Sequence, residues 1–255
     1  MEYQVRLNAV TTTVVIVLGI GVSLITSTLV AARAYKVRGE QLTRGEQTIV
    51  VKGSARKRIR SDRAVWRIRV EGESRQLQDA FKTLDSGIQR VRTFLEQQKF
   101  TPEEIGLGAI ETNVHYTRDD KGEETRQVAS YTLARTFFIT SPTVDRVQQA
   151  GAQVTQLIQE GVLVISQPPD YYYSDPAALK VELVGAASKD ARSRAEEIAR
   201  SAGCVLGQVR AATMGVLQIT QPYSTEVSDT GIYDTSSIEK DAQAVVTVTF
   251  TISSQ

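Results

Sequence analysis

Cys204 and His115 are the only cysteine and the only histidine in the 255-residue chain. A Cys–His nucleophilic pair would have to be these two, and neither sits in a nucleophile-elbow motif. His115 stands among Asn113, Tyr116 and Thr117 in a strand pattern and reads as structural. Cys204 follows Gly203 and reads as a small residue behind a helix end. A single cysteine cannot close an internal disulfide, so an oxidising compartment is permitted but not indicated. The same scarcity excludes a zinc site built on several Cys or His ligands. No G-x-x-x-x-G-K-[ST], G-x-G-x-x-G or H-E-x-x-H occurs. The expectation is a protein that is not an enzyme and carries no cofactor and no metal.

Three clusters remain. The run Lys52 to Arg63 holds Lys52, Arg56, Lys57, Arg58, Arg60 and Arg63. Arg56, Arg58 and Arg60 alternate, so a strand would put them on one face. Contact with anionic lipid or an acidic protein partner is one reading, and a solvated strand and turn is the plainer one. Asp119, Asp120, Glu123 and Glu124 lack the EF-hand pattern and read as a solvated hairpin tip. Tyr171, Tyr172 and Tyr173 are adjacent, so a strand cannot bury all three on one face. They are candidates for a subunit interface or for packing within one chain. Arg56, Lys57, Arg58, Arg60, Tyr171, Tyr172 and Tyr173 therefore form the candidate interaction surface. The net charge of +1 argues against nucleic acid as a partner.

The elements that position these residues follow from periodicity. Strands are expected at Thr48 to Lys52, Ala64 to Glu71, Ile105 to Tyr116, Val128 to Thr140, Val162 to Ser166, Val205 to Ile219 with a break near Gly207 or Gly215, and Ala242 to Ile252. A helix is expected from Arg75 to Gln98, N-capped by Ser74, with Leu77, Phe81, Leu84, Ile88, Val91 and Leu95 buried. A second runs from Thr143 to Glu160, with Val144, Val147, Val154 and Ile158 inward. A third starts at Asp175-Pro176 and buries Leu179, Leu183, Ala187, Ala191, Ala195, Ile198 and Ala202, with Gly203 as its stop. Its alanines allow a close approach to whatever supports it. Thr220 to Asp241 is a long polar segment, and a loop of that length is functional or disordered. The fold class expected is α+β, a largely antiparallel sheet covered by helices on one face. Hydrophobic residues at 41% and charged residues at 23% are ordinary for a globular domain.

Ahead of that domain, Leu7 to Ala32 carries no charge and is long enough for one transmembrane helix. It exceeds the usual signal-peptide apolar region of about 7–15 residues, although Ala32-Arg33-Ala34 offers a cleavage-like site. The expected organisation is an N-terminal anchor or signal segment over 1–35, a linker over 36–47 and one domain over 48–255. Arg33, Lys36, Arg38 and Arg44 outnumber Arg6, which taken alone favours a cytoplasmic domain.

The chain resembles the SIMPL-domain family of bacterial periplasmic and envelope proteins, formerly a domain of unknown function. The resemblance rests on Val50-Val51-Lys52-Gly53 leading to Asp62, and on Ile110-Glu111-Thr112-Asn113 before Tyr131-Thr132-Leu133-Ala134. It continues through Asp175-Pro176 and Ala186, Ala187, Ala191, Ala195 and Ala199 to Gly203, and closes on Ala244-Val245-Val246-Thr247-Val248-Thr249-Phe250. The basic run at 56 to 60 is more charged than this turn in the family. The resemblance implies a domain outside the cytoplasm, on a single-pass inner-membrane anchor or exported after cleavage. It also implies a self-associating, non-enzymatic envelope scaffold or interaction protein, linked to envelope or oxidative stress. A homo-oligomer is the partner expected. A ligand- or anionic-lipid-binding module using the 220–241 loop or the basic 52–63 segment is the alternative.

Overall fold

The computed structural model describes residues 21, 23–34, 36 and 47–254. The helical residues 21, 23–34 and 36 form α1. Among the described residues no helix is long and apolar enough to cross a membrane. Much of the expected span, Leu7 to Ala32, lies outside them, as does most of the expected linker.

The remaining order is β1 (Thr48–Arg60), β2 (Arg63–Ser74), α2 (Leu77–Gln97), β3 (Ile105–Arg118), β4 (Glu124–Ser141), α3 (Val144–Gln153), β5 (Leu163–Ser166), β6 (Asp170–Tyr172), α4 (Pro176–Ser201), β7 (Cys204–Met214), β8 (Gln218–Thr220) and β9 (Glu239–Ser254). The α+β class holds, but the strands form two sheets where one was expected. One sheet runs β3-β4-β2-β5, with β6 also on β2. The other runs β1-β9-β7, with β8 also on β9. The described pairings of β2 with β4, β5 and β6, of β3 with β4, and of β8 with β9 are antiparallel. By contacts the chain divides into two compact units, one made of Val51–Arg194 and Ala212–Val248, the other including Ala195–Ala211 and the residues from Thr249 on.

In the first sheet, Ala64, Trp66, Ile68 and Val70 of β2 are fully buried on one face. Each large apolar side chain removed from water this way contributes about 1.5–3 kcal/mol. Trp66 keeps its indole N–H satisfied on Ser166 Oγ at 2.9 Å. Helix α2 crosses β2 at Gly72, where an added Cβ would stand 2.4 Å from the Leu84 nitrogen. That contact centres the buried stripe on Ala80, Leu84, Ile88, Val91, Phe94 and Leu95. Leu77 and Phe81, expected in the core, lie exposed at its margin. The N-cap is Gln76 rather than Ser74, because β2 continues through Ser74.

The second predicted helix is shorter. It ends at Gln153 and tightens into a 3-10 turn over Val154–Ile158. The tighter winding turns Leu157 inward and leaves Ile158 exposed. Helix α4 behaves as its alanines predict. It approaches β1 so closely that a Cβ on Gly53 would fall 2.1 Å from the Ala187 carbonyl oxygen and 2.4 Å from the Ala191 nitrogen. Ala199 takes the buried place expected for Ile198 and Ala202, since a spacing of four continues the line through Ala187, Ala191 and Ala195. Gly203 closes the helix at φ +67°.

Candidate functional site

The basic run lies inside β1, which continues to Arg60, so the turn begins only at Ser61. Arg56, Arg58 and Arg60 share one face. Arg56 Nη2 donates to Gln243 Oε1 at 2.9 Å. Arg58 Nε donates to Asp241 Oδ1 at 2.5 Å and its Nη2 to Oδ2 at 3.3 Å. Arg60 meets Asp145 at 2.5 Å and Glu239 at 3.7 Å. The β9 partner falls by two as the arginine rises by two, the pattern of directly opposed residues in an antiparallel pair. Lys57 points the other way and bonds Glu182 of α4 at 2.8 Å. Each of these four cations therefore already has an acceptor. The bond to Asp241 raises the Arg58 pKa, and the bond to Glu182 raises that of Lys57. The Asp241 carboxyl falls below the usual carboxylate range, first through Arg58 and then, against some burial, through the Tyr223 N–H.

Asp241 leads into the 221–238 segment, which is ordered by a polar hub at Asp234. Its carboxylate accepts from Ser236 N and Oγ, from Ser237 N and Oγ, and from Lys240 Nζ at 3.0 Å. Lys240 Nζ also donates to the Ser237 carbonyl at 2.6 Å, and its side chain is 0% exposed. Burial pushes the Asp234 carboxyl up, but the bonds from Ser237, Ser236 and Lys240 outweigh it and hold it well below the ordinary range. Ile219 accepts the Asp234 N–H and donates its own N–H to Ile232, fastening the segment beside β8.

The tyrosines form the seat of this segment. Tyr171 is buried, and its N–H donates to the Thr235 carbonyl at 2.7 Å. Tyr233 Oη donates to the Tyr173 carbonyl at 2.7 Å and accepts the Tyr173 N–H at 3.0 Å. The rings of Tyr172 and Tyr233 lie 6.4 Å apart, within the range of a favourable aromatic pair. The structure thus brings Tyr171 to Tyr173 together with the long loop, and Arg58 together with the loop's Tyr223, whose ring centroid is 4.9 Å from the guanidinium carbon.

His115 and Cys204 lie on strands of different sheets, β3 and β7. His115 Nε2 is bonded to Thr132 Oγ1 at 2.9 Å, and Cys204 Sγ donates to the Ala202 carbonyl at 3.7 Å. Asp119 at the hairpin tip accepts the N–H groups of Lys121 and Glu123, an ordinary Asx turn. Among the described residues no group of three or more Asp, Glu, His or Cys could hold a metal. Sequence reasoning missed Tyr223, Asp234 and Lys240. The Asp234-x-Ser236-Ser237 spacing, with its tendency to bond back onto the chain, was the available signal.

Among the described residues, strand β3 is the outer strand of its sheet. Ile110, Val114 and Tyr116 are exposed along it, as is Val128 on β4 opposite Tyr116. Its pairing with β4 is uninterrupted from Ile110 to His115 and irregular on either side.

Two antiparallel sheets with covering helices, an exposed edge strand and a pinned polar loop define an α+β domain. The chain belongs to the SIMPL family, described as proteins of unknown function (DUF541), which it matches over residues 49–252. A search of curated proteins finds no match.

Proposed function

We propose that this SIMPL-family chain is a membrane-anchored extracytoplasmic protein, non-enzymatic, that self-associates as an envelope scaffold or interaction protein linked to envelope or oxidative stress. The observation that carries the self-association is the edge of β3. An uncovered edge presents unpaired N–H and C=O groups to another chain. Soluble monomers blunt such edges with charged residues, proline or bulges. Strand β3 has no lysine or proline, and its stretch Ile110 to His115, with Glu111 as the one charge, lies between its irregularities. Its Ile110, Val114 and Tyr116 add apolar area to a backbone interface. The anchor rests on the uncharged stretch Leu7 to Ala32, and the extracytoplasmic placement and stress link rest on family resemblance. Anionic-lipid contact through Arg56, Lys57, Arg58 and Arg60 has less support, because each is already matched.

Light scattering on the full chain in detergent tests the reading. The expected result is an assembly of several copies that Val114→Lys, a charge placed on the edge, breaks into smaller species. A monomer at high concentration removes the scaffold. A reporter fused after residue 45 tests the placement, and activity of a cytoplasm-only reporter reverses it.

A further inference from the structure

The turn after β8 displays an aromatic ring on a strained backbone. Tyr223 has φ +65°, a region that a bulky L side chain rarely enters. The residue is 83% exposed, so burial does not offset that strain. Two contacts hold it there: its N–H donates to Asp241 Oδ2 at 3.1 Å, and the Arg58 guanidinium approaches its ring. Asp241 therefore fixes both the ring's backbone and the cation beside it. Strain kept at an exposed position points to a use for what is displayed.

Two cavities of about 500 and 220 Å³ flank this turn and share Thr220, Ser224, Thr225 and Glu226 in their walls. The smaller also has Gln218, Gln243 and Arg56 in its wall. The Gln218 amide nitrogen donates to the Ser228 carbonyl at 2.6 Å, which decides the orientation of the amide. Its Oε1 is then buried and, among the described residues, has no hydrogen-bond partner. A buried acceptor without a donor is costly, and a ligand donor reaching it recovers that cost. Gln218 stands in the cavity wall beside Ser224, Thr225, Glu226 and Val227, so a ligand that uses this closed-off acceptor must displace part of that wall.

The wall chemistry narrows the ligand. Amides and hydroxyls both donate and accept, which suits a ligand whose own groups do both. Asp241 is matched by Arg58, and Arg56 and Glu226 carry opposite charges, so the wall selects for neither sign. An exposed phenol ring offers its face to the C–H groups of a flat apolar surface. A sugar ring combines hydroxyls at its rim with such a C–H face. We propose that Tyr223 and the adjoining hollow bind a neutral saccharide, with the sugar's C–H face on the Tyr223 ring and a hydroxyl donating to Gln218.

Saturation-transfer NMR on the full chain, in a detergent without a sugar headgroup, tests this with maltotriose, cellotriose and chitotriose as free probes. A second arm uses phosphatidylcholine vesicles with and without a glycosylated diacylglycerol, read by flotation, to distinguish a lipid-borne sugar from a free one. Binding is expected in at least one arm and weakens tenfold or more in Tyr223→Gly and Gln218→Leu. Glycine adopts φ +65° without strain, so Tyr223→Gly raises the thermal midpoint as it loses binding, which separates the effect from unfolding. Phe81→Ala, on α2, leaves binding unchanged. Absence of binding in both arms, or binding undiminished in Tyr223→Gly, overturns the proposal.

Discussion

Lys240 Nζ lies 3.0 Å from Asp234 Oδ2, and no part of the lysine side chain reaches solvent. A lysine is buried at this depth only when its charge is matched and its donors are used. Here the carboxylate and the Ser237 carbonyl take two of them. The pair ties residue 234 of the long segment to the start of β9. Truncating one partner strands the other charge, so Lys240→Ala is expected to lower stability by about 3–5 kcal/mol. Urea unfolding followed by circular dichroism measures it. The double variant Lys240→Ala, Asp234→Ala is expected to lose less than the sum of the two single losses. Additive losses would mean that the two side chains act independently.

Acid sensitivity follows from the same hub. The Asp234 carboxyl has an ordinary value of 3.8 and is lowered in the folded protein. The unfolded chain therefore binds its proton first as pH falls, and protons favour the unfolded state. The stabilisation is complete above the ordinary value and is lost as pH drops below it towards the lowered folded value. Asp241 is lowered too and acts in the same direction. The urea midpoint is expected to stay level in this respect from about pH 7 to 5 and to fall below about pH 4. Asp234→Asn starts from a lower midpoint and shows a shallower fall. An equally steep fall in that variant would assign the acid sensitivity to other carboxylates.

The close approach at Gly53 makes a sharper packing prediction. A Cβ there meets the Ala187 carbonyl at 2.1 Å and the Ala191 nitrogen at 2.4 Å, and both are helix backbone that cannot swing aside. Gly53→Ala must lift α4 from β1 and open the contact that buries Leu179 and Leu183 beside Ile59. The expected cost is about 1–3 kcal/mol, and more for Gly53→Val. Gly185 of the same helix has open space around its Cβ position, so Gly185→Ala is expected to be neutral or stabilising by up to about 1 kcal/mol. Thermal midpoints of the two alanine variants compare them directly, and equal shifts would contradict the geometry.

The alanine line of α4 is legible in the sequence because a helix writes its buried face at a fixed spacing. Its seat at Gly53 is not, since nothing local says which glycine faces which helix. The strands are legible for a similar reason, as alternation marks the buried face of Trp66, Ile68 and Val70. Alternation does not say which strand a segment joins, and so the division into two sheets escapes it. The basic run shows the same boundary. Its one-faced arrangement of Arg56, Arg58 and Arg60 is visible, whereas the opposing Gln243, Asp241 and Glu239 depend on a register set by the whole fold. The loop hub combines both cases. Asp234 with Ser236 and Ser237 is a local motif, while the burial of Lys240 is decided by how the segment folds back beside β8.

The arginine ladder itself is uneven, and that difference is measurable. Asp241 has a side chain only 6% exposed, whereas Arg60 and both of its carboxylate partners are about half exposed. Solvent and salt screen the Arg60 pairs, and exposed pairs of this kind contribute about 0–1 kcal/mol. Removing Arg58, itself 41% exposed, leaves the sheltered Asp241 carboxylate, among the described residues, with the Tyr223 N–H alone as its donor. Arg58→Ala is therefore expected to cost more than Arg60→Ala, with the loss little changed between about 0.05 and 0.5 M salt. The smaller Arg60→Ala loss is expected to shrink further over that range. Arg58→Lys keeps the charge but cannot form the two-pronged contact with Asp241, so it should recover only part of the loss. Equal losses for the two alanine variants, or a strongly salt-dependent Arg58→Ala, would show that Asp241 is as well solvated as the carboxylates around Arg60.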